Sequence, residues 1–77
     1  MKIDAIMKEI KCTNSNKSVR FFRNGPEDIM VFACQEGELW FTVGSYKTLT
    51  GAKRSAVRKM ADHGYKVDMN ALNKLSV

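Results

Sequence analysis

Apolar side chains recur along this chain with more than one period, and each period predicts a different element. Near the amino terminus Ile3, Ile6, Met7 and Ile10 stand at i, i+3, i+4 and i+7, with Lys2, Asp4, Lys8, Glu9 and Lys11 between them. That spacing lines one face of a helix and predicts a short helix over residues 3–11. The same stretch also admits a strand, with Ile6, Ile10 and Cys12 alternating and Lys8 as the one polar misfit. Thr13-Asn14-Ser15-Asn16 then reads as a polar loop.

Three short runs rich in Val, Ile, Phe and Trp follow, at 18–23, 29–34 and 38–43. Asn24-Gly25-Pro26-Glu27-Asp28 and Gln35-Glu36-Gly37 separate them, so the runs predict an antiparallel three-stranded meander. The second turn decides which residues face the core, because odd and even loop lengths put opposite parities on one face. A two-residue Glu36-Gly37 turn needs Glu36 at positive φ, which glutamate resists, so a three-residue loop with Gly37 left-handed is expected. One face then carries Val19, Phe21, Ile29, Val31, Ala33, Leu39, Phe41 and Val43, and this wholly apolar face is the expected core. The other carries Arg20, Phe22, Met30, Phe32, Cys34, Trp40 and Thr42.

The most regular segment comes next. Leu49, Ala52, Ala56, Val57 and Met60 form a stripe, Thr48 or Thr50 offers an N-cap hydroxyl, and Gly64 a left-handed stop. They predict an amphipathic helix of residues 49–63 packed on the sheet. Beyond it, Asp68 is placed to cap a last short helix reaching Leu75. The expected architecture is one α+β domain over residues 1–77: a three-stranded antiparallel sheet, one main helix and a short amino-terminal helix.

Length and charge narrow the function. A chain of 77 residues buries only roughly 60% of the surface its unfolded form exposes, which leaves little room for an elaborate buried active site. No run of 18 apolar residues suits a membrane span, and Met1-Lys2-Ile3-Asp4 does not open a signal peptide, so a cytoplasmic protein is expected. The formal net charge of +5 is unevenly spread. Residues 1–26 carry six basic and two acidic side chains. Residues 27–46 carry Glu27, Asp28, Glu36 and Glu38 with no basic residue, and 47–66 carry six basic side chains against Asp62 alone. The chain is bipolar rather than uniformly basic, and attraction to a polyanion depends on the local patch.

An inventory of reactive groups points away from catalysis. Cys12, Cys34 and His63 are too few and too scattered for a closed zinc site, and no P-loop, GxGxxG or HExxH occurs. The two cysteines read as free thiols, with a Cys12–Cys34 disulfide as the alternative. His63, in the last helical turn, suits a helix-capping role, and a Cys34–His63 pair has no motif behind it. No catalytic, cofactor-binding or metal-binding residue is expected.

Two constellations suit binding. Arg54 and Arg58 lie one turn apart on the outer face of the 49–63 helix with Lys53 and Lys59 on its flanks; the set serves as a solvated face, or contacts phosphates or an acidic protein groove. Phe22, Phe32 and Trp40, with Arg20 beside them, form a stacking platform if uncovered, and a second core if the amino-terminal helix covers them.

Residues 40–61, from Trp40 through Gly44-Ser45-Tyr46-Lys47-Thr48 to Ala52, Ala56 and Ala61, resemble the last strand and helix of a three-stranded DNA-binding domain. That unit occurs in plant ethylene-response factors and in the arm-binding domains of phage integrases. The resemblance implies a sheet laid in the major groove; the corresponding hairpin here carries Glu27, Asp28, Glu36 and Glu38. In length and build the chain is also similar to small phage accessory proteins, among them anti-CRISPR and other anti-defence inhibitors, which act stoichiometrically. The leading expectation is therefore a non-enzymatic inhibitor or regulator that binds a nucleic-acid-handling protein. Its partner-binding residues would be Arg54, Arg58, Lys53, Lys59, Glu36, Glu38, Trp40 and Arg20. The alternative is a small basic DNA- or RNA-binding protein using the 49–63 helix.

Overall fold

The computed structural model describes residues 7–75, excluding the Met7 side chain, and arranges them as a four-stranded antiparallel sheet covered on one face by helices. The strands β1 (Met7–Lys11), β2 (Lys17–Gly25), β3 (Asp28–Gln35) and β4 (Glu38–Tyr46) lie side by side in chain order. Two helices follow, α1 (Leu49–Asp62) and α2 (Met69–Asn73). The sheet thus has one strand more than the three expected. Residues 7–11 are a strand rather than the end of a helix, and residues 3–6 lie outside the described residues. Ile10 pairs with Val19 and faces the core, as does Cys12 just beyond the strand, so the alternating reading holds over residues 8–12. The polar misfit Lys8 stands opposite Phe21 at the edge of the sheet, where its side chain is exposed. An edge strand tolerates it because the ammonium there reaches water.

Phe21, Val19, Ile29, Val31 and Ala33 from the sheet are fully buried, as are Ala52, Ala56 and Met60 from α1. The small residues of α1 let the helix sit close on β3 and β4. Val67, Leu72 and Leu75 complete this core. Residues 66–68 lap the edge of β1: Thr13 N–H donates to Lys66 O at 2.8 Å and Asp68 N–H to Lys11 O at 3.0 Å. Thr48 is the N-cap of α1, its hydroxyl accepting from Gly51 N–H at 3.1 Å, and His63 is its C-cap. Asp68 caps α2. No described helix is long and apolar enough to cross a membrane.

The β3–β4 turn departs from expectation. Gln35 pairs with Glu38, so the turn has two residues, with Glu36 at φ 53° and Gly37 at φ 84°. Both are left-handed, which matches the turn to the twist of its strands. Neighbouring contacts offset the strain at Glu36: Asn16 Nδ2 donates to its carboxylate at 3.0 Å, and Arg20 donates to Gly37 O at 3.1 Å. Because Asn reaches this conformation more readily, Glu36→Asn is expected to raise stability by about 0.5–1 kcal/mol. Urea unfolding followed by circular dichroism measures this; an unchanged or lower midpoint means that the Asn16 contact outweighs the backbone strain.

Two bulges in β4 then reset the faces. Ala33 pairs with Phe41 while Cys34 pairs with Leu39, and Val31 pairs with Gly44 while Phe32 pairs with Thr42. Trp40 and Val43 are the extra residues. Trp40, Phe41 and Val43 therefore all pack against the helix-side core, whereas Leu39 turns to the opposite face and is 64% exposed. This corrects the expected placement of Leu39 in the core and of Trp40 beside Phe22 and Phe32. Gly44 follows the second bulge at φ 157°, and a Cβ there would stand 2.8 Å from Tyr46 Oη, so only glycine fits without strain.

Candidate functional site

The eight residues expected to bind a partner fall into three places. Lys53, Arg54, Arg58 and Lys59 lie on α1, Glu36, Glu38 and Trp40 at the end of the sheet near the helix C-terminus, and Arg20 on the opposite sheet face. The run of acidic residues is also divided. Glu27 and Asp28 are at the β2–β3 turn, and Glu36 and Glu38 at the β3–β4 turn. The length of β3, roughly 23 Å at about 3.3 Å per residue, separates them. The acidic lobe suggested by linear charge does not exist as one surface.

Arg20 is engaged within the chain. Its Nε lies 3.6 Å from Glu9 Oε2, which also accepts from the Ser18 hydroxyl at 2.6 Å. This network links β1 and β2 on the face away from the helices. Phe22, Met30 and Phe32 are half-buried there, and no described element packs on them. The expected three-ring platform is not assembled, because Trp40 has gone to the helix side. There its ring meets Phe41 edge-on at 4.8 Å, His63 at 5.2 Å and Tyr65 at 5.8 Å. The Lys17 ammonium lies 5.3 Å from the Trp40 ring centre and 4.9 Å from that of Tyr65. His63 Nδ1 is 3.0 Å from Lys59 O, so that nitrogen donates, and the imidazole stacks on Phe41. Aromatic packing and capping account for both Trp40 and His63.

Cys12 and Cys34 are free and buried on opposite faces of the sheet, Cys12 among the helix-side core and Cys34 across from Ser18. They cannot pair with each other, and Cys34 is separated by the sheet from His63. Among the described residues no group of three His, Cys, Asp or Glu side chains could hold a metal ion. Burial pushes both thiols above the ordinary range, against the pull of Lys17 on Cys12 and Arg20 on Cys34. A thiol harder to ionise folded than unfolded contributes stability that is present below the unfolded pKa and lost as pH rises through the folded one. Stability should therefore begin to fall above about pH 8.5, by more than in a Cys12→Ser, Cys34→Ser variant. Urea midpoints across this range check it, and parallel curves for the two proteins would refute the assignment.

The surface of α1 is different in kind. Arg54, Arg58 and Lys59 are exposed and Lys53 half-buried, and none of the four has an ion-pair partner among the described residues. Arg54 and Arg58 at i, i+4 repel each other, at a cost of about 0.2–0.5 kcal/mol. The first turn of α1 holds no acidic residue, so nothing there offsets the cations. Lys53 and Lys59 diverge: Lys59 borders a shallow depression with Val43, Tyr46, Asp62 and Arg58, the last of which also reaches the other side of the helix. Lys53, Arg54 and Arg58 instead wall a groove of about 650 Å³ between α1 and α2. Val57, Leu72 and Met69 form its apolar side, with Thr50 and Asn73 completing it; Met69 is 48% exposed. Sequence periodicity found the cations but not the groove, because Met69 and Leu72 reach α1 only when the chain reverses at Gly64.

Compared with protein-family models, curated proteins and solved structures, the chain matches none of them.

Proposed function

We propose that the chain is a non-enzymatic, phage-type regulator that binds stoichiometrically to a nucleic-acid-handling protein, with the outer face of α1 as its principal contact. The observation that carries this reading is the set of cations on α1, unpartnered among the described residues, three of which, Lys53, Arg54 and Arg58, wall a partly apolar groove. Cations of this kind cost the helix stability, and an acidic protein surface offsets that cost through charge complementarity and faster association. Glu36 and Glu38, at the other end of α1, give such a partner a second contact of opposite sign with Lys- or Arg-rich surface. In that arrangement the small domain covers a working surface of its target rather than reacting with it.

The same four cations support a second reading, direct binding of DNA or RNA phosphates along α1. The groove favours the protein partner, since phosphate contacts require no apolar wall. Capture of interacting molecules by the tagged chain from its native cell, with and without nuclease, separates the two. Recovery of one protein in fixed ratio after nuclease treatment supports the regulator. Recovery that disappears with nuclease overturns it in favour of nucleic acid.

A further inference from the structure

Resting on the reading that α1 contacts a protein, we infer that the α1–α2 groove is the docking site for an acidic amphipathic helix of that partner. The groove combines two chemistries that such a segment satisfies together. The exposed Met69 and the half-buried Val57, backed by the buried Leu72, offer an apolar surface suited to one bulky side chain, and methionine adapts its shape to what enters. Lys53, Arg54 and Arg58 stand along the α1 wall in about one and a half turns, so carboxylates flanking an apolar stripe on the incoming helix meet them in succession. An uncharged apolar helix would leave the three cations without partners beside it. A purely acidic chain would leave the apolar wall unused. A basic amphipathic helix would be repelled. The occupant is thus defined by both its stripe and the sign of its flanks.

The test is selection from a displayed library of 16-residue helices with leucine at i, i+3, i+4 and i+7 and the remaining positions varied among Asp, Glu, Ser, Asn, Lys and Arg. Wild-type protein should enrich sequences with Asp or Glu beside the leucine stripe. Met69→Lys, an exposed site where the added charge would itself favour acidic ligands, should bind the enriched peptides at least tenfold more weakly, with its circular dichroism unchanged. Amide shifts on titrating the best peptide should centre on Val57 and Leu72. Enrichment without charge bias, no enrichment, or enriched peptides that bind Met69→Lys as tightly as wild type would each overturn the groove as a docking site. A DNA duplex that competes the peptide away from wild type and binds Met69→Lys equally well would do the same and favour phosphate binding. Any of the first three results alongside nuclease-resistant capture of a single protein would leave the regulator standing and remove only the groove.

Discussion

Phe21→Ala is expected to leave the domain mostly unfolded near 37 °C, while Phe22→Ala, one residue on, leaves it folded. Phe21 is completely buried at the centre of the sheet, with Ile10 and Val19 on one side of it in the core and Val31 directly across from it in β3. Truncating a buried Phe removes about 3–5 kcal/mol, because the cavity left behind does not close. At roughly 0.05–0.15 kcal/mol per residue, a chain of 77 residues holds a total of about 4–12 kcal/mol. A single side chain therefore carries a large share of the whole. Phe22 points to the face on which no described element packs and is half-buried, so its loss should cost less than about 1.5 kcal/mol. Urea and thermal unfolding by circular dichroism measure both variants. Equal losses would mean that the two faces are assigned wrongly.

The second large effect is on binding. The double charge reversal Arg54→Glu, Arg58→Glu should reduce capture of the native partner at least about 100-fold, since opposing like charges at an interface costs several kcal/mol and each 1.4 kcal/mol is tenfold. Both side chains are exposed and unpaired among the described residues, so folding stability should move by no more than about 0.5 kcal/mol. Lys59→Glu, on the far flank of the helix, should weaken capture only a few-fold. Undiminished recovery by the double variant would show that α1 is a solvated face and that contact lies elsewhere. Quantitative pull-down at two salt concentrations reads all three, and the wild-type interaction should weaken as salt rises.

Helix α1 was legible because everything that specifies it is local: the stripe of Ala52, Ala56 and Met60, the Thr48 cap and the Gly64 stop lie within one stretch of chain. The central strands were legible for a similar reason, through runs of branched and aromatic residues between turn formers. Strand β1 is legible only as the second of two readings, because Ile3, Ile6, Met7 and Ile10 also satisfy helical spacing. What holds residues 7–11 as a strand is pairing with β2 and the distant lap of residues 66–68. The Glu36 turn is not legible locally, because the contacts that sustain it, Asn16 and Arg20, come from another strand and loop. The candidate site was half legible. Its cations follow from helical periodicity, whereas its apolar wall and the separation of the acidic residues depend on how far β3 runs and where α2 returns.

The two bulges of β4 bear on how this protein can associate with others. Strand β4 ends the sheet, and no described strand pairs with its outer edge. A regular edge of that length is a template on which a foreign strand adds, extending the sheet by main-chain hydrogen bonds that ignore sequence. The bulges at Trp40 and Val43 interrupt the spacing of donors and acceptors and bend the strand, so an incoming strand finds no long register to follow. Adhesion through the backbone is thereby discouraged at the open edge. What the molecule presents for recognition is its side chains, and selectivity rests with them.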